Sequence, residues 1–200
     1  MKRPLLLGTH NKGKAREIAA LLGDLNLDIK TLDDFAHLTV PEETGATLEE
    51  NARLKARHYG LTSGLWTLAD DTGLQVDALG GAPGVHCSTY AGQGCSYADN
   101  NDKLIRALSG LPREKRGASF CTVMACFEPQ TQRMQTAQGK LVGRIAEKII
   151  SGAGFGYDPV FVVEPLGKTL SQLSLIEKNA VSHRAQALEK IKKILAEWPS

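Results

Sequence analysis

Short apolar segments of strand length alternate along this chain with segments in which apolar residues recur at helical spacing. Residues 5–7 form one such apolar segment, which is far too short for a membrane span or a signal sequence and indicates a buried strand. Two helix starts carry capping-box spacing, Thr47 with Glu50 and Ser174 with Glu177. Because strands and helices intermingle, we expect an α/β or α+β fold built on a mixed sheet.

The individual elements are predicted from periodicity and from the positions of glycine and proline. Strands are predicted at residues 4–9, 65–69, 118–127, 134–142 and 159–163, with the third and fourth pairing as neighbours. Helices are predicted at residues 13–22, 47–59, 99–108 and 174–198. Residues 70–73 are predicted to end their strand in a turn, and residues 80–84 and 152–156 are predicted to be loops.

Composition and cysteine usage narrow the range of functions. The 200 residues suit one domain over positions 1–200, and 42% hydrophobic with 23% charged residues is typical of a globular protein. A net charge of +2, with basic residues spread along the chain, argues against a nucleic-acid surface, although a few local cations can hold a phosphorylated small molecule. The four cysteines form no CxxC pair, which argues against a zinc site and favours free thiols in a reducing, cytoplasmic compartment.

A polar segment with two lysines joins the first predicted strand to the first predicted helix. Helix N-termini present free N–H groups and a partial positive charge, which suit an anion, and cations are disfavoured there unless an anion binds. The alternative is that Asn11 only caps the helix and the lysines are solvated; the spacing is not that of a Walker A loop. The candidate phosphate-binding residues are Thr9, His10, Asn11, Lys12, Gly13 and Lys14.

Two acidic pairs on separate elements, Glu42-Glu43 and Asp70-Asp71, are candidates for metal binding and acid–base chemistry. Mg²⁺ is held by a few carboxylates together with phosphate oxygens and water, and a carboxylate can also take a proton from an attacking water. Neighbouring residues on a strand point to opposite faces, so Asp70 and Asp71 are not expected to reach the same ion. Taken singly, each acidic pair is more often structural than catalytic.

Two segments nearer the C-terminus offer contacts to a flat ligand. Glycines flank Phe155, so the backbone can approach a base while the ring stacks on it, although a Phe between glycines more often fills a core. Lys178, His183 and Arg184 are donors that suit the 6-oxo group of hypoxanthine or xanthine and disfavour adenine. The alternative is that these three residues coat an amphipathic helix.

Seven segments, taken together and in this order, resemble the inosine/xanthosine triphosphate pyrophosphatase family of the Ham1/RdgB type. The resemblance runs through nearly the whole chain, from Leu7 to Leu188. One segment alone would be a weak signal, whereas seven in order make a chance match very improbable. The matching segments are residues 9–14, 42–45, 50–56, 69–74, 80–85, 154–159 and 182–184.

This resemblance implies a fold, a reaction and an assembly. The fold would be an elongated, two-lobed α/β fold around a long central mixed β-sheet flanked by helices, and the protein would be a homodimer. The reaction would be a Mg²⁺-dependent hydrolysis of ITP, dITP and XTP to the nucleoside monophosphate and pyrophosphate, with water attacking the α-phosphorus. Such an activity would cleanse the nucleotide pool and would involve neither nucleic acid nor a membrane.

Carried over by position, the resemblance also implies a role for each candidate residue. Asp71 would bind the metal and accept the proton of the attacking water. Glu43, alone or with Glu42, would complete the metal site. The role of Asp70 stays open between a second metal ligand and support for its neighbour, and support is the expectation. The substrate-binding residues would be Thr9, His10, Asn11, Lys12, Gly13 and Lys14 at the triphosphate, Lys55 and Thr72 near it, and Phe155, Gly156, Tyr157, Asp158, Lys178, His183 and Arg184 at the base.

One departure from the family pattern keeps two alternatives open. After Gly84-Val85 the family usually continues Tyr-Ser-Ala-Arg-Tyr, whereas this chain has Thr89 at the arginine position. If that arginine contacts phosphate or braces the dimer, its loss removes a multi-donor cation and lowers activity or rearranges the loop. The first alternative is a catalytically silent nucleotide-binding protein, and the second is the same chemistry on other nucleotides, such as modified pyrimidines or canonical dNTPs. The retained carboxylates favour the enzyme over the silent protein.

Overall fold

A computed structural model describes residues 2–35 and 37–197, which form one mixed β-sheet and five α-helices. The helices are α1 (Lys12–Leu21), α2 (Leu48–Ser63), α3 (Tyr97–Ala107), α4 (Leu175–Val181) and α5 (His183–Glu197). The strands are β1 (Arg3–Leu7), β2 (Leu27–Thr31), β3 (Trp66–Val76), β4 (Pro83–Gly84), β5 (Gly117–Phe127), β6 (Met134–Ile145), β7 (Phe161–Val163) and β8 (Lys168–Thr169). No helix among the described residues combines the length and the apolar character needed to cross a membrane.

The sheet has the strand order β2-β1-β3-β5-β6-β7-β8, and β4 pairs with β3. β1 runs parallel to both β2 and β3, whereas β3–β4, β6–β7 and β7–β8 are antiparallel pairs. This arrangement confirms the predicted α/β class with a mixed sheet, and it confirms that β5 and β6 are neighbours.

The chain divides into two compact units. The first contains the chain up to Asp71, residues 122–139 and the chain from His183 onwards; the second contains residues 72–121 and 140–182. In the second unit, one core gathers apolar residues of β3, α3, β5, β6 and β7, among them Leu74, Leu104 and Phe120.

In the first unit, the alternation of side chains along the strands separates two sets of apolar contacts. Leu5 of β1 and Leu68 of β3 belong to the core that includes residues of α1 and α5. The next residues along each strand, Leu6 and Ala69, belong instead to clusters that include residues of α2. A shift of one residue along a strand therefore changes which helices a side chain meets.

The predicted turn at residues 70–73 is wrong, because β3 continues through Asp70 and Asp71 to Val76. β3 is an interior strand with β1 and β5 as neighbours; it pairs with β1 at residues 66–68 and with β4 at residues 74 and 75. The two carboxylates do not interrupt the strand, because each is neutralised by basic side chains from packed helices. Both acids therefore lie inside a strand rather than in a loop.

The predicted helix at residues 174–198 is also wrong in its continuity. Ser182 has φ −69° and ψ 151°, an extended conformation that ends α4 and precedes α5. The last predicted helical residue, Trp198, lies outside the described residues.

Both predicted capping boxes are confirmed, at Thr47 for α2 and at Ser174 for α4. The half-buried strand β2 was not predicted, because none of its residues is fully buried and it lacks a clear inside–outside alternation.

Candidate functional site

The segment predicted to bind phosphate forms the start of α1. Asn11 caps the helix, since its Oδ1 accepts from the N–H groups of Gly13 and Lys14 at 3.0 and 3.1 Å. Thr9 Oγ1 in turn accepts from the Asn11 N–H at 3.2 Å. The two lysines then diverge: the Lys12 side chain is 85% exposed, whereas that of Lys14 is only 14% exposed and points towards β3. Lys14 is therefore the lysine that belongs to the buried charges of this unit.

Asp70 lies on the side of β3 that faces α1 and α5. Its Oδ2 is 3.0 Å from Lys14 Nζ and 3.5 Å from a terminal guanidinium nitrogen of Arg184. Burial by itself would raise the pKa of Asp70, but Lys14, Arg184 and Lys55 outweigh it and hold that pKa well below its usual range. Asp70 is therefore a buried carboxylate whose charged form is favoured and which pairs with two basic side chains.

Arg184, predicted to read the base, is one of the most deeply buried side chains of the chain, at 1% exposure. Its guanidinium pairs with Glu17 of α1 as well as with Asp70. The position of α5 here depends on close packing with β6, because any Cβ at Gly139 would overlap the carbonyl oxygen of His183. His183 and Arg184 thus sit in a closely packed first turn of α5, and their predicted role in base recognition stays a prediction.

Asp71 lies on the opposite side of β3, towards α2. Its Oδ1 accepts a hydrogen bond from Lys55 Nζ at 2.8 Å, and the same ammonium contacts Glu43 Oε2 at 3.3 Å. Burial raises the pKa of Asp71, and Glu43 adds to this rise, although Lys55 and Lys14 oppose it. Adjacent residues of one strand therefore differ sharply: Asp70 is held ionised, whereas Asp71 takes up a proton more readily than an ordinary aspartate.

Lys55 joins two carboxylates that come from separate elements. Burial would lower the pKa of Lys55, but Asp71, Asp70 and Glu43 outweigh that effect and raise it. Across the described ranges, no group of three or more His, Cys, Asp and Glu side chains is gathered closely enough to hold a metal ion alone. The Glu43–Lys55–Asp71 group therefore offers an ion only two carboxylates, which is the donor number that leaves room for substrate oxygens and water.

Three other predicted site residues, Glu42, His10 and Thr72, are exposed or only partly buried. Glu42 and Glu43 are both exposed, but it is Glu43 that reaches Lys55. The exposed His10 ring lies edge-on to the ring of Tyr59, with 6.1 Å between centroids. Thr72 opens the second unit, and its carbonyl accepts a hydrogen bond from the Cys87 thiol at 3.0 Å.

The predicted base-stacking segment forms a tight turn in the second unit. Gly154 and Gly156 have φ of +102° and +66°, in the region that favours glycine. Asp158 fastens the turn, since its Oδ2 accepts from the Phe155 N–H at 2.9 Å. The buried hydroxyl of Tyr157 donates to the Cys87 carbonyl at 2.8 Å, and burial raises the pKa of this tyrosine. The turn therefore holds the Phe155 ring at a defined place, with the ring partly exposed.

Lys178 of α4 reaches the same turn. Its Nζ donates to Asp158 Oδ2 at 2.5 Å and lies 4.7 Å from the centroid of the Phe155 ring, within range of a cation–π interaction. Three predicted residues of the second unit, Phe155, Asp158 and Lys178, are thus brought into mutual contact. In the first unit, the structure forms two groups on opposite sides of β3: Lys14, Asp70 and Arg184 on one side, and Glu43, Lys55 and Asp71 on the other.

One buried charge was missed by the sequence analysis. Glu17 lies among the apolar residues of α1, and its partner Arg184 is 167 positions away. A carboxylate at the edge of an apolar helix stripe is the only local signal, and it does not identify a partner. A long-range ion pair of this kind is visible only after the chain has folded.

Known proteins resemble this chain over nearly its entire length. The model of the Ham1 family matches residues 5–194. The chain is 48% identical over 193 residues to the dITP/XTP pyrophosphatase of Elusimicrobium minutum, a match that covers 94% of this chain and 98% of the relative. It is 47% identical over 186 residues to the dITP/XTP pyrophosphatase of Yersinia pseudotuberculosis, covering 92% and 94% of the two chains.

Solved structures show the same extent of similarity. A HAM1 protein from Coxiella burnetii superposes with a TM-score of 0.87 at 39% identity, covering 98% of this chain and all of the other. The Ham1 protein of Staphylococcus aureus superposes with a TM-score of 0.84 at 32% identity, covering 97% and 98% of the two chains.

Proposed function

Because this chain belongs to the Ham1 family, we propose that it is a dITP/XTP pyrophosphatase, a hydrolase that acts on phosphoanhydride bonds. Water and dITP, ITP or XTP are converted into a nucleoside monophosphate and pyrophosphate, which removes these nucleotides from the pool. The observation that carries the proposal is the Glu43–Lys55–Asp71 group, in which two carboxylates meet at one ammonium. A catalytically silent binding protein would have no need to retain these carboxylates.

Glu43 and Asp71 would hold the Mg²⁺ ion that this chemistry calls for. Both present carboxylate oxygens, the donors that a hard cation prefers, and both already stabilise the positive charge of Lys55. Glu42 is the weaker candidate, because it is Glu43 whose carboxylate contacts Lys55 beside Asp71. When bound, the ion supplies neutralisation of the phosphate charge.

Asp71 is the proposed general base. The hydrogen bond from Lys55 to its Oδ1 orients the carboxylate, and burial raises its pKa towards the range in which a base works best near neutral pH. Lys55 remains cationic, since the surrounding carboxylates raise its pKa, and it can offset negative charge that develops on the phosphates. Asp70 supports this arrangement from the other side of β3 by holding Lys14.

The remaining roles are proposed position by position. The residues proposed for the triphosphate are Thr9, His10, Asn11, Lys12, Gly13, Lys14 and Thr72. Phe155 is proposed to stack on the base, with Gly156, Tyr157 and Asp158 forming the rest of that turn. Lys178, His183 and Arg184 are proposed as donors to the 6-oxo group. A homodimer and a cytoplasmic location are also proposed, the latter because all four cysteines are free thiols.

Substrate choice and metal dependence test the proposal together. With Mg²⁺ present, we expect kcat/KM for ITP and XTP to exceed that for ATP by about 10²-fold or more, because adenine carries an amino donor where hypoxanthine and xanthine carry the 6-oxo acceptor. EDTA should abolish pyrophosphate release, and added Mg²⁺ should restore it. Faster turnover of dUTP would favour the alternative substrate class, and ITP binding without turnover would favour a silent binding protein.

The position of bond cleavage is a separate expectation. Reaction in ¹⁸O-labelled water should place the label in the nucleoside monophosphate, because the activated water attacks the α-phosphorus and pyrophosphate leaves. Mass spectrometry of the two products measures this directly. Label found in pyrophosphate would show attack at the β-phosphorus and would reject this part of the mechanism.

A further inference from the structure

Two consecutive buried asparagines, Asn100 and Asn101, lie inside α3. Asparagine is a poor residue for a helix interior, and burying its amide is costly unless the amide is hydrogen-bonded. Asn100 is well satisfied: its Oδ1 accepts from the Ala91 N–H at 2.7 Å, and its Nδ2 donates to the carbonyls of Ser88 at 3.0 Å and Cys87 at 3.3 Å. Asn100 therefore fastens the loop that follows β4, which accounts for its presence.

Asn101, unlike Asn100, uses only half of the hydrogen-bonding capacity of its amide. It is 4% exposed, and its Nδ2 donates to the carbonyl of Gly156 at 3.0 Å, across 55 positions of sequence. Since the Gly156 carbonyl can only accept, the amide nitrogen must face it. The Oδ1 of Asn101 is buried and has no hydrogen-bond partner among the residues that the structure describes. Asn101 thus carries a desolvation cost that the stability of α3 does not explain.

The bond from Asn101 holds the peptide group between Gly156 and Tyr157, for which the described part of the chain shows no other hydrogen bond. Two hydrogen bonds join Phe155 and Asp158: the Phe155 N–H donates to Asp158 Oδ2, and the Asp158 N–H donates to the Phe155 carbonyl. The Tyr157 side chain is held by the bond from its hydroxyl to the Cys87 carbonyl. Gly156 has φ +66°, and glycine has access to both signs of φ, so local sterics do not fix the orientation of its peptide. Within the described chain, Asn101 is the one donor to the Gly156 carbonyl, and its bond selects one orientation.

The first turn of α3 supports the same segment by packing. The ring of Tyr97 lies edge-on to that of Tyr157, with 5.8 Å between centroids, and a Cβ placed on Gly156 would be 3.6 Å from Tyr97 Cε1. The start of α3 is itself fixed by the capping box of Ser96 and Asp99. The helix therefore presents Asn101 to Gly156 from a well-defined position.

We propose that Asn101 is a positioning residue that sets the Gly154–Asp158 turn, so that the Phe155 ring is presented for stacking on the purine base. This inference rests on the proposed function, since it assigns the turn to base recognition. Asn101 acts through Gly156 and not by contact with the reacting atoms. Its loss should therefore weaken binding of the base and leave both the phosphate-binding residues and the chemical step unaffected.

The test compares Asn101→Leu with Asp102→Leu, the same replacement at the next and exposed position of α3. For Asn101→Leu we expect KM for ITP to rise about tenfold with kcat within twofold of wild type, because a hydrogen bond and part of the stacking are lost. The inhibition constant of inorganic triphosphate, which has no base, should stay within twofold. The melting temperature should not fall, since the leucine replaces an incompletely bonded buried amide. Asp102→Leu should resemble wild type in every measurement.

Two results would overturn the inference. One is an unchanged KM for ITP in Asn101→Leu; the other is an equal weakening of ITP and inorganic triphosphate together with a lower melting temperature, which would indicate a merely structural role. If the leucine variant does not fold, Asn101→Asp replaces the donor by an acceptor of the same shape, and the same measurements apply. Failure of the proposed function is distinguishable, because wild type and Asp102→Leu would then both fail to hydrolyse ITP.

Discussion

Replacing Asp71 by Asn is expected to lower kcat for ITP by about 10²–10⁴-fold, because the amide cannot accept the proton of the attacking water. The shape of the side chain is kept, and the amide oxygen can still accept the hydrogen bond that Lys55 now donates to the carboxylate at 2.8 Å. The loss should therefore be catalytic and not structural. Steady-state kinetics of pyrophosphate release give kcat, and far-ultraviolet circular dichroism reports whether the fold is intact.

A suitable control is Asp28→Asn, which removes an exposed carboxylate of β2 that pairs with Lys30. This variant should have wild-type kcat, since exposed ion pairs contribute little. An Asp71→Asn enzyme that retained more than about a tenth of wild-type kcat would show that another group accepts the proton. Glu43, the second carboxylate at Lys55, would then be the next residue to replace.

Replacing Arg184 by Met is expected to lower the free energy of unfolding by about 3–5 kcal/mol, because two buried carboxylates lose a common partner. Glu17 and Asp70 both pair with this guanidinium, and the side chains of all three residues are at most 5% exposed. Methionine fills much of the volume but leaves both negative charges with less compensation. Equilibrium unfolding in urea measures the change, and the slope of the transition shows whether the native state remains compact.

Lys192→Met provides the matched control on the same helix. Lys192 pairs with Asp24, just beyond the end of α1, but the Asp24 side chain is 65% exposed, so this ion pair is open to water. We expect Lys192→Met to change the free energy of unfolding by less than about 1 kcal/mol. If Arg184→Met were as stable as Lys192→Met, the buried carboxylates would not depend on this guanidinium, whereas a rise in KM for ITP would support its proposed role at the base.

Much of the local structure and most of the candidate residues could be predicted from the sequence. The capping boxes at Thr47 and Ser174 involve residues three positions apart, so a short segment contains all the information needed. Of the two acidic pairs, Glu43 and Asp71 do meet at Lys55, whereas Glu42 does not join them. The sequence offered no means to choose between Glu42 and Glu43, because the choice depends on how the loop before α2 packs.

The two aspartates of β3 show the limit of prediction most clearly. Strand alternation predicts that Asp70 and Asp71 point to opposite faces of β3. It does not identify the basic residues that pack against each face. Packing of α1 and α5 on one side supplies Lys14 and Arg184 to Asp70, and packing of α2 on the other supplies Lys55 to Asp71. The opposite pKa shifts of two adjacent carboxylates arise from these long-range neighbours and not from their own segment.

The sequence by itself thus determined most of the strands and helices, the capped starts of α2 and α4 and the set of polar residues available for chemistry, because these depend on local spacing and residue type. Tertiary structure alone decided that Asp70 and Asp71 take different partners, that Glu17 completes the buried charges of Arg184, and that Asn101 holds the Gly156 carbonyl. The physical reason is the same in each case. Charge and hydrogen-bond energies act over a few ångströms, and residues far apart in sequence come that close only when the chain has packed.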